Sequence, residues 1–354
     1  MKNIIKTLFV MLTSASLLVV SAKAGELGVS GTAKATYNIL TGNNKGKGLG
    51  ITNELNFTAS GETDAGYTWS YSMELDPQDT AAGGASLNDD TQLKITTPMG
   101  TVGVFILEGG LDAEDAASQS AYSRPTDMGD PSATVDNYSI DTYNNVQYHS
   151  PAGMLPFDTV VKLAYAPDLD TANGSGNNAG AEIVEGTATF AGRSMTAYRV
   201  DMVPIDGLKI GASYNDFDKQ GANKKNQEAE SGAYYGTYTF GNFSFGYSKA
   251  YRADLVVDGA LTTATEAEYY DQSNMSAAMA VNDDLTISYE VEKSEVNYQL
   301  DTEAAVEQKS TGVQIAYNMG GMTLAIARNS HDNPGYSTTA ADEDQTLFAL
   351  TMAF

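Results

Sequence analysis

The C-terminal stretch Gln345-Thr346-Leu347-Phe348-Ala349-Leu350-Thr351-Met352-Ala353-Phe354 alternates along its length. Thr346, Phe348, Leu350, Met352 and Phe354 share one face, and Gln345, Leu347, Ala349, Thr351 and Ala353 the other. Successive side chains of a strand point to opposite faces, so a period of two reads as a strand whose sides meet different surroundings. The same period recurs upstream. Leu285, Ile287, Tyr289 and Val291 alternate with Thr286, Ser288, Glu290 and Glu292. Tyr67, Trp69, Tyr71, Met73 and Leu75 alternate with Thr68, Ser70, Ser72 and Glu74. Near the start, Leu27, Val29, Ala33, Ala35, Tyr37 and Ile39 alternate with Gly28, Ser30, Thr32, Lys34, Thr36 and Asn38. A soluble sandwich would fill its apolar face with aliphatics. Here the polar face is mostly small residues and the apolar face carries Tyr at strand ends, which places lipid outside, water inside and aromatic girdles at two interfaces.

Extending this reading along the chain predicts strands over 26–39, 49–60, 66–76, 89–97, 101–108, 142–150, 157–166, 191–203, 207–216, 232–240, 242–251, 267–281, 284–293, 310–319, 321–330 and 344–354. The segment 181–192 reads as loop or strand. The links alternate in length. Long ones are 40–48, 77–88, 109–141, 167–190, 217–231, 252–266, 294–309 and 331–343. Short ones carry turn residues: Gly61 to Ala65, Pro98 to Gly100, Pro151 to Pro156, Pro204 to Asp206, Gly241, Asn282-Asp283 and Gly320. Strict long-short order with an even strand number is the mark of an all-β fold, a transmembrane antiparallel 16-stranded up-and-down β-barrel with short periplasmic turns and long outer loops. Ten residues rise about 33 Å, which at about 45° tilt crosses about 23 Å of membrane.

The N-terminus supports export. Lys2 and Lys6 precede an apolar stretch from Leu8 to Val20, and Ala22-Lys23-Ala24 suits signal peptidase. Residues 1–24 read as a cleaved signal peptide and 25–354 as the barrel. Losing three lysines takes the net charge from −25 to −28, which argues against nucleic acid as a partner. The chain has no Cys and two His, His149 and His331, so thiol catalysis and a multi-histidine zinc site are excluded. No glycine lies in a strand-to-helix setting that cradles a phosphate. His149 and Ser150 point to opposite faces of a strand and form no catalytic pair. His331 falls in an expected loop beside Asp332.

With these residues in view, the chain resembles the general porins of Gram-negative outer membranes, most closely the alphaproteobacterial type. The strand-and-loop order carries the resemblance over the whole mature chain. So do the terminal Phe354, the segment Asn145-Val146-Gln147-Tyr148-His149-Ser150-Pro151, and the long link 109–141 after the fifth strand. The resemblance implies passive diffusion of small hydrophilic solutes through a water-filled pore in the bacterial outer membrane. It also implies a homotrimer, Phe354 as the signal read by the barrel-assembly machinery, and 109–141 folded into the barrel as a constriction loop. A substrate-specific channel for sugars or anions is the alternative. It would show as an aromatic track along the lumen, where only Phe105 and Tyr235 are candidates. The chain departs from the family in having few Arg on its expected wall.

Charges at the narrowest point would set ion preference. In 109–141, Asp112, Glu114 and Asp115 lie close together, followed by Asp127, Asp130 and Asp136. Strand parity turns Lys34, Lys94, Lys162, Arg199 and Lys209 into the lumen. Acid on the loop facing base on the wall predicts a transverse field and a mild preference for cations. Clustered carboxylates are also the ligands Ca²⁺ takes, so Ca²⁺ at the acidic loop is a further expectation. No other cofactor is expected, and the remaining partner is outer-membrane lipid.

Overall fold

The computed structural model describes residues 27–42, 45–75, 88–128, 136–167, 169, 194–218, 225–257, 267–300 and 302–354. The expected signal peptide, residues 181–192 and Asp130 lie outside them. Sixteen strands close into one barrel. They are β1 (Leu27–Thr41), β2 (Gly46–Glu62), β3 (Thr68–Leu75), β4 (Asn88–Thr97), β5 (Gly100–Ile106), β6 (Asn145–His149), β7 (Val160–Ala166), β8 (Ser194–Ile205), β9 (Leu208–Asp218), β11 (Glu230–Phe240), β12 (Phe243–Ala253), β14 (Ala267–Ala280), β15 (Leu285–Tyr298), β16 (Val306–Asn318), β17 (Met322–Asp332) and β18 (Glu343–Ala353). Two short strands, β10 (Lys225–Gln227) and β13 (Val256–Val257), pair with each other apart from the barrel.

Each barrel strand pairs antiparallel with its neighbours, and β1 pairs with β18 to close the ring. Closure leaves no sheet edge facing lipid, where an unpaired N–H or C=O costs several kcal/mol. The seam runs to the last residue. The Gly31 and Phe354 backbones exchange hydrogen bonds at 2.8 and 3.0 Å. The Phe354 ring lies over Gly31, where a Cβ would come within 2.8 Å of it.

The alternation in the sequence becomes inside and outside. Leu27, Leu49, Ile51, Tyr234, Phe240 and Tyr289 are exposed on the outer face. Ser288, Glu290, Glu292 and Ser294 are buried on the inner face, beneath a loop folded into the barrel. Among the described residues the buried apolar side chains form separate clusters rather than one continuous core. Small apolar clusters sit where that loop touches the wall.

The strand order is as expected, but some strands run further. β15 continues to Tyr298 and β16 begins at Val306, inside the expected loop 294–309. β17 reaches Asp332, so His331 lies in a strand, buried, with Nδ1 2.8 Å from Ser310 Oγ. These extensions lack an apolar outer face. Outward cross-strand ion pairs replace it, Lys293–Glu307 at 3.0 Å and Lys309–Asp332 at 3.4 Å, so a hydrophobic period stops short of the true strand end.

Candidate functional site

After β5 the described residues 107–128 turn into the lumen, with positive φ at Leu107 (52°) and Gly109 (85°), and 136–144 lead back to β6. Side chains of β6 hold this entry. Gln147 Nε2 donates to the Gly109 carbonyl at 2.5 Å. Asn145 Nδ2 donates to the carbonyls of Glu108, Ile140 and Tyr143 at 3.1, 3.2 and 2.9 Å, tying the start of the loop to its end. Leu111 and Ile140 are fully buried against Ala164, Ala166, Met195, Ala197 and Phe217, a dry plug between loop and wall.

Beyond the plug, residues 113–128 follow the inner wall as an irregular chain. Its amides would be buried without partners, at a cost of about 1–3 kcal/mol each. Wall side chains supply those partners. Ala113 N donates to Ser213 Oγ (3.0 Å), Gln119 N to Ser276 Oγ (3.1 Å), Ala121 N to Ser288 Oγ (2.8 Å) and Tyr122 N to Gln314 Oε1 (2.9 Å). Thr126 donates from N and Oγ1 to Glu292 Oε2 at 3.0 and 2.8 Å. Gln345 Nε2 donates to the Met128 carbonyl at 2.9 Å. Two wall glycines admit the loop: a Cβ on Gly246 would overlap the Ala117 carbonyl, and one on Gly312 would come 2.8 Å from Pro125.

Arg124 organises the acids. Its Nε lies 2.7 Å from Glu292 Oε1 on the wall, its guanidinium pairs with Asp115, and Asp127 and Asp136 follow at 3.8 and 4.0 Å. Burial works against this charge, but Glu292, Asp115 and Asp127 outweigh it and hold the guanidinium above its ordinary range. Three acids of the loop, Asp115, Asp127 and Asp136, thus converge on an arginine, and among the described residues no group of three or more His, Cys, Asp or Glu is arranged to hold a metal.

The three expected constriction acids are not equivalent. Asp115 is exposed. Asp112 is held between Asn215, which donates to it at 3.3 Å, and Arg199, which donates to its backbone carbonyl at 2.5 Å. Burial raises the Asp112 pKa, and Asp141 adds to that. Glu114 is buried against the wall; burial first and Asp112 second push it up to about 8. Glu114 Oε2 and Asn274 Oδ1 have no hydrogen-bond partner among the described residues. Both residues line one cavity of about 20 Å³, with Arg124 and Glu292.

The basic residues group as a stripe on the opposite wall, apart from Lys34. His149, Lys162 and Arg199 are direct cross-strand neighbours on β6, β7 and β8. Lys94 shares the lumen face, one row over, through Gly103 and Gln147. Lys209 Nζ lies 5.9 Å from the Tyr235 ring. Asp201 binds Arg199 at 3.0 Å and Lys162 at 3.8 Å and accepts from Tyr235 Oη at 2.6 Å. Phe105 and Tyr235 are buried in this region and form no continuous aromatic track.

Lys34 lies instead on the open passage. A cavity of about 550 Å³ separates the loop residues Tyr122, Ser123, Asp127 and Met128 from Thr32, Lys34, Thr36, Asn38, Thr52 and Glu54 on the wall. Burial, partly offset by Arg124, pushes Asp127 up to about 6. Glu54, Arg124 and Glu292 are the charged groups whose part here the sequence reading missed. Glu54 and Glu292 sit on lumen parity, and Arg124 is a lone base in an acidic loop.

No protein-family model matches the chain, and no curated protein does. Solved structures do match. OmpT, an outer membrane protein of Vibrio cholerae, aligns at 14% identity over 95% of this chain and 100% of its own, with a TM-score of 0.64. A porin refined at 1.8 Å aligns at 15% identity over 93% of this chain and 100% of its own, TM-score 0.62. OmpF of Salmonella typhi, solved with daunomycin, aligns at 14% identity over 93% and 98%, TM-score 0.62. Similarity that spans nearly both chains, with so little sequence in common, is a likeness of fold, and the fold this chain has is that of the porins.

Proposed function

We propose that this chain is an outer-membrane porin through which small hydrophilic solutes and ions diffuse passively. The observation that carries the reading is the passage beside the inserted loop. A closed barrel with an apolar outer face and a polar inner face is narrowed by a loop bonded to its wall, and a cavity of about 550 Å³ remains between loop and wall. The wall side of the lining is hydroxyls, one amide and the charges of Lys34 and Glu54, joined by Asp127 and by the apolar Tyr122, Met128 and Leu347, with a single aromatic ring rather than a track to favour sugars. We therefore read the pore as general rather than solute-specific.

The passage carries Asp127 and Glu54 against Lys34, with Asp115 exposed nearby on the loop. The basic stripe is partly neutralised by Asp201. This balance supports a mild cation preference, weakened by salt because the Debye length falls from about 8 Å to about 3 Å at 1 M.

The homotrimer is supported by the likeness of fold to OmpT of Vibrio cholerae, which has been solved in a trimer form.

The test is a planar bilayer with purified protein, read together with liposome swelling in solutes of increasing size. Stepwise ohmic conductance and a size cut-off, with no saturation by any one sugar, are expected. A protein that inserts and conducts nothing would refute the proposal.

A further inference from the structure

We propose that the short β10–β13 ladder outside the barrel is a strap for the inserted loop, and that Arg252 and Asp254 are positioning residues of the pore, holding the return limb 136–140 in place. The strap rests on contacts alone; its effect on current rests on the pore reading above.

The ladder joins two long links, 217–231 and 252–266, by pairing Lys225 with Val257 and Gln227 with Val256. Gln227 fastens it to the strand ends. Its Nε2 donates to the carbonyls of Asp254 and Glu268 at 2.7 and 2.6 Å, and its Oε1 accepts from Gln299 Nε2 at 2.7 Å. Gln227 is not among the residues lining the passage. The segments that carry the ladder also reach down to the plug. Ala229 is buried in the cluster that holds Leu111 and Ile140, and Leu255 packs against it.

Arg252 and Asp254 carry the contact inward. The Arg252 guanidinium lies over the Tyr138 ring, 4.2 Å from its centre. Its Nη1 donates to the Asp136 carbonyl at 2.9 Å and its Nε to Asp254 Oδ1 at 2.7 Å. The same Oδ1 accepts from Tyr138 Oη at 2.7 Å. An ion pair this open to water contributes little by itself. The stack on Tyr138 and the charged donor on a main-chain carbonyl are what fix the limb. From Asp136 the line continues to the passage. Its carboxylate lies 4.0 Å from Arg124, and Arg124 lies 3.8 Å from Asp127, which lines the cavity. The wall holds the limb separately, at the Asn137 side chain and the Tyr138 backbone. Loosening the strap therefore frees Asp136 and the Tyr138 ring without unfastening the limb, so the aperture fluctuates rather than collapses.

The full-length protein would be recorded in planar bilayers, and amide exchange of 136–140 measured in detergent. Q227A and D254A should each raise open-channel current noise and speed that exchange about fivefold, the factor set by losing one hydrogen bond of ordinary strength. The chain has no Cys, and Cα atoms paired across antiparallel strands lie about 4.5–5.5 Å apart, within reach of a disulfide. K225C/V257C therefore offers a reversible lock on the ladder. In Q227A the lock should restore the quiet current and the slow exchange, and reduction should undo both. In R252Q, which breaks the line inward of the ladder, the lock should restore neither. Heat-modifiable migration checks that each variant is folded. Wild-type noise and exchange in folded Q227A and D254A, or a lock that rescues R252Q as well as Q227A, would overturn the proposal. A wild-type protein that conducts nothing overturns the pore, and exchange of 136–140 then decides the strap alone.

Discussion

Glu114→Gln isolates the proton that the loop is built to hold. Glu114 lines a cavity of about 20 Å³ together with Asn274 and Glu292, and burial with Asp112 beside it raises its pKa from 4.5 to about 8. When the loop segment opens, the carboxyl meets water and returns to its ordinary value. Between those two values the closed state keeps a proton that the open state has lost, so each pH unit costs the closed state about 1.4 kcal/mol, a factor of ten. The sign is therefore fixed. The closed loop is favoured most below the ordinary Glu pKa, loses stability as pH rises, and levels off above the raised value. Glutamine keeps the shape and hydrogen-bonding capacity without the proton. Hydrogen exchange of the 111–120 amides, corrected for intrinsic rate, should show wild-type protection falling about tenfold per pH unit relative to the variant. The fall should begin near pH 5, stop near pH 8, and total a few kcal/mol. A ratio of protection that stays flat from pH 5 to pH 9 would refute the reasoning.

The other predictions concern the passage, its support and its assembly. Asp127→Asn with Glu54→Gln should lower the reversal potential in a tenfold KCl gradient more than Asp112→Asn with Glu114→Gln, because the first pair lines the passage and the second is buried; the opposite order would restore the weight the sequence gives to Asp112 and Glu114. Gly246→Leu should push the loop off the wall at Ala117 and raise or destabilise single-channel conductance, and an unchanged current would mean the close contact is unimportant. Arg124→Gln leaves Glu292 buried without its cation, a loss of about 3–5 kcal/mol, and should increase proteolysis within 111–128. Deleting Phe354 removes two backbone hydrogen bonds at the seam and should lower the heat-modifiable, membrane-embedded fraction; wild-type levels would show that the terminal residue is dispensable.

Much of the fold was legible because lipid imposes a period of two on every strand, and that period survives with no sequence relative to compare. It failed where lipid no longer reaches. The ends of β15, β16 and β17 exchange apolar side chains for the Lys293–Glu307 and Lys309–Asp332 pairs, and His331 turns inward with them. The short β10–β13 ladder, three residues against two, is too brief to show a period. The site was legible in part. Parity alone turned the five bases inward, since a strand residue has only two directions. The loop has no period, so nothing in its spelling separates the buried Glu114 from the exposed Asp115 one residue away. Nor does spacing show that Arg124 will meet Glu292, which lies 168 residues further along the chain.

That distance bears on the order of construction. The loop emerges between the fifth and sixth strands, yet its amides find their acceptors on Ser276, Ser288 and Gln314, and its Met128 carbonyl finds Gln345 almost at the chain's end. Until those late strands are in place, residues 119–128 lack the wall side chains that hold them. The aperture is therefore finished after the wall, and a barrel caught before its final strands join is a hole without its sieve. Completing the seam at Gly31 and Phe354 and setting the size of the opening belong to a single closing event.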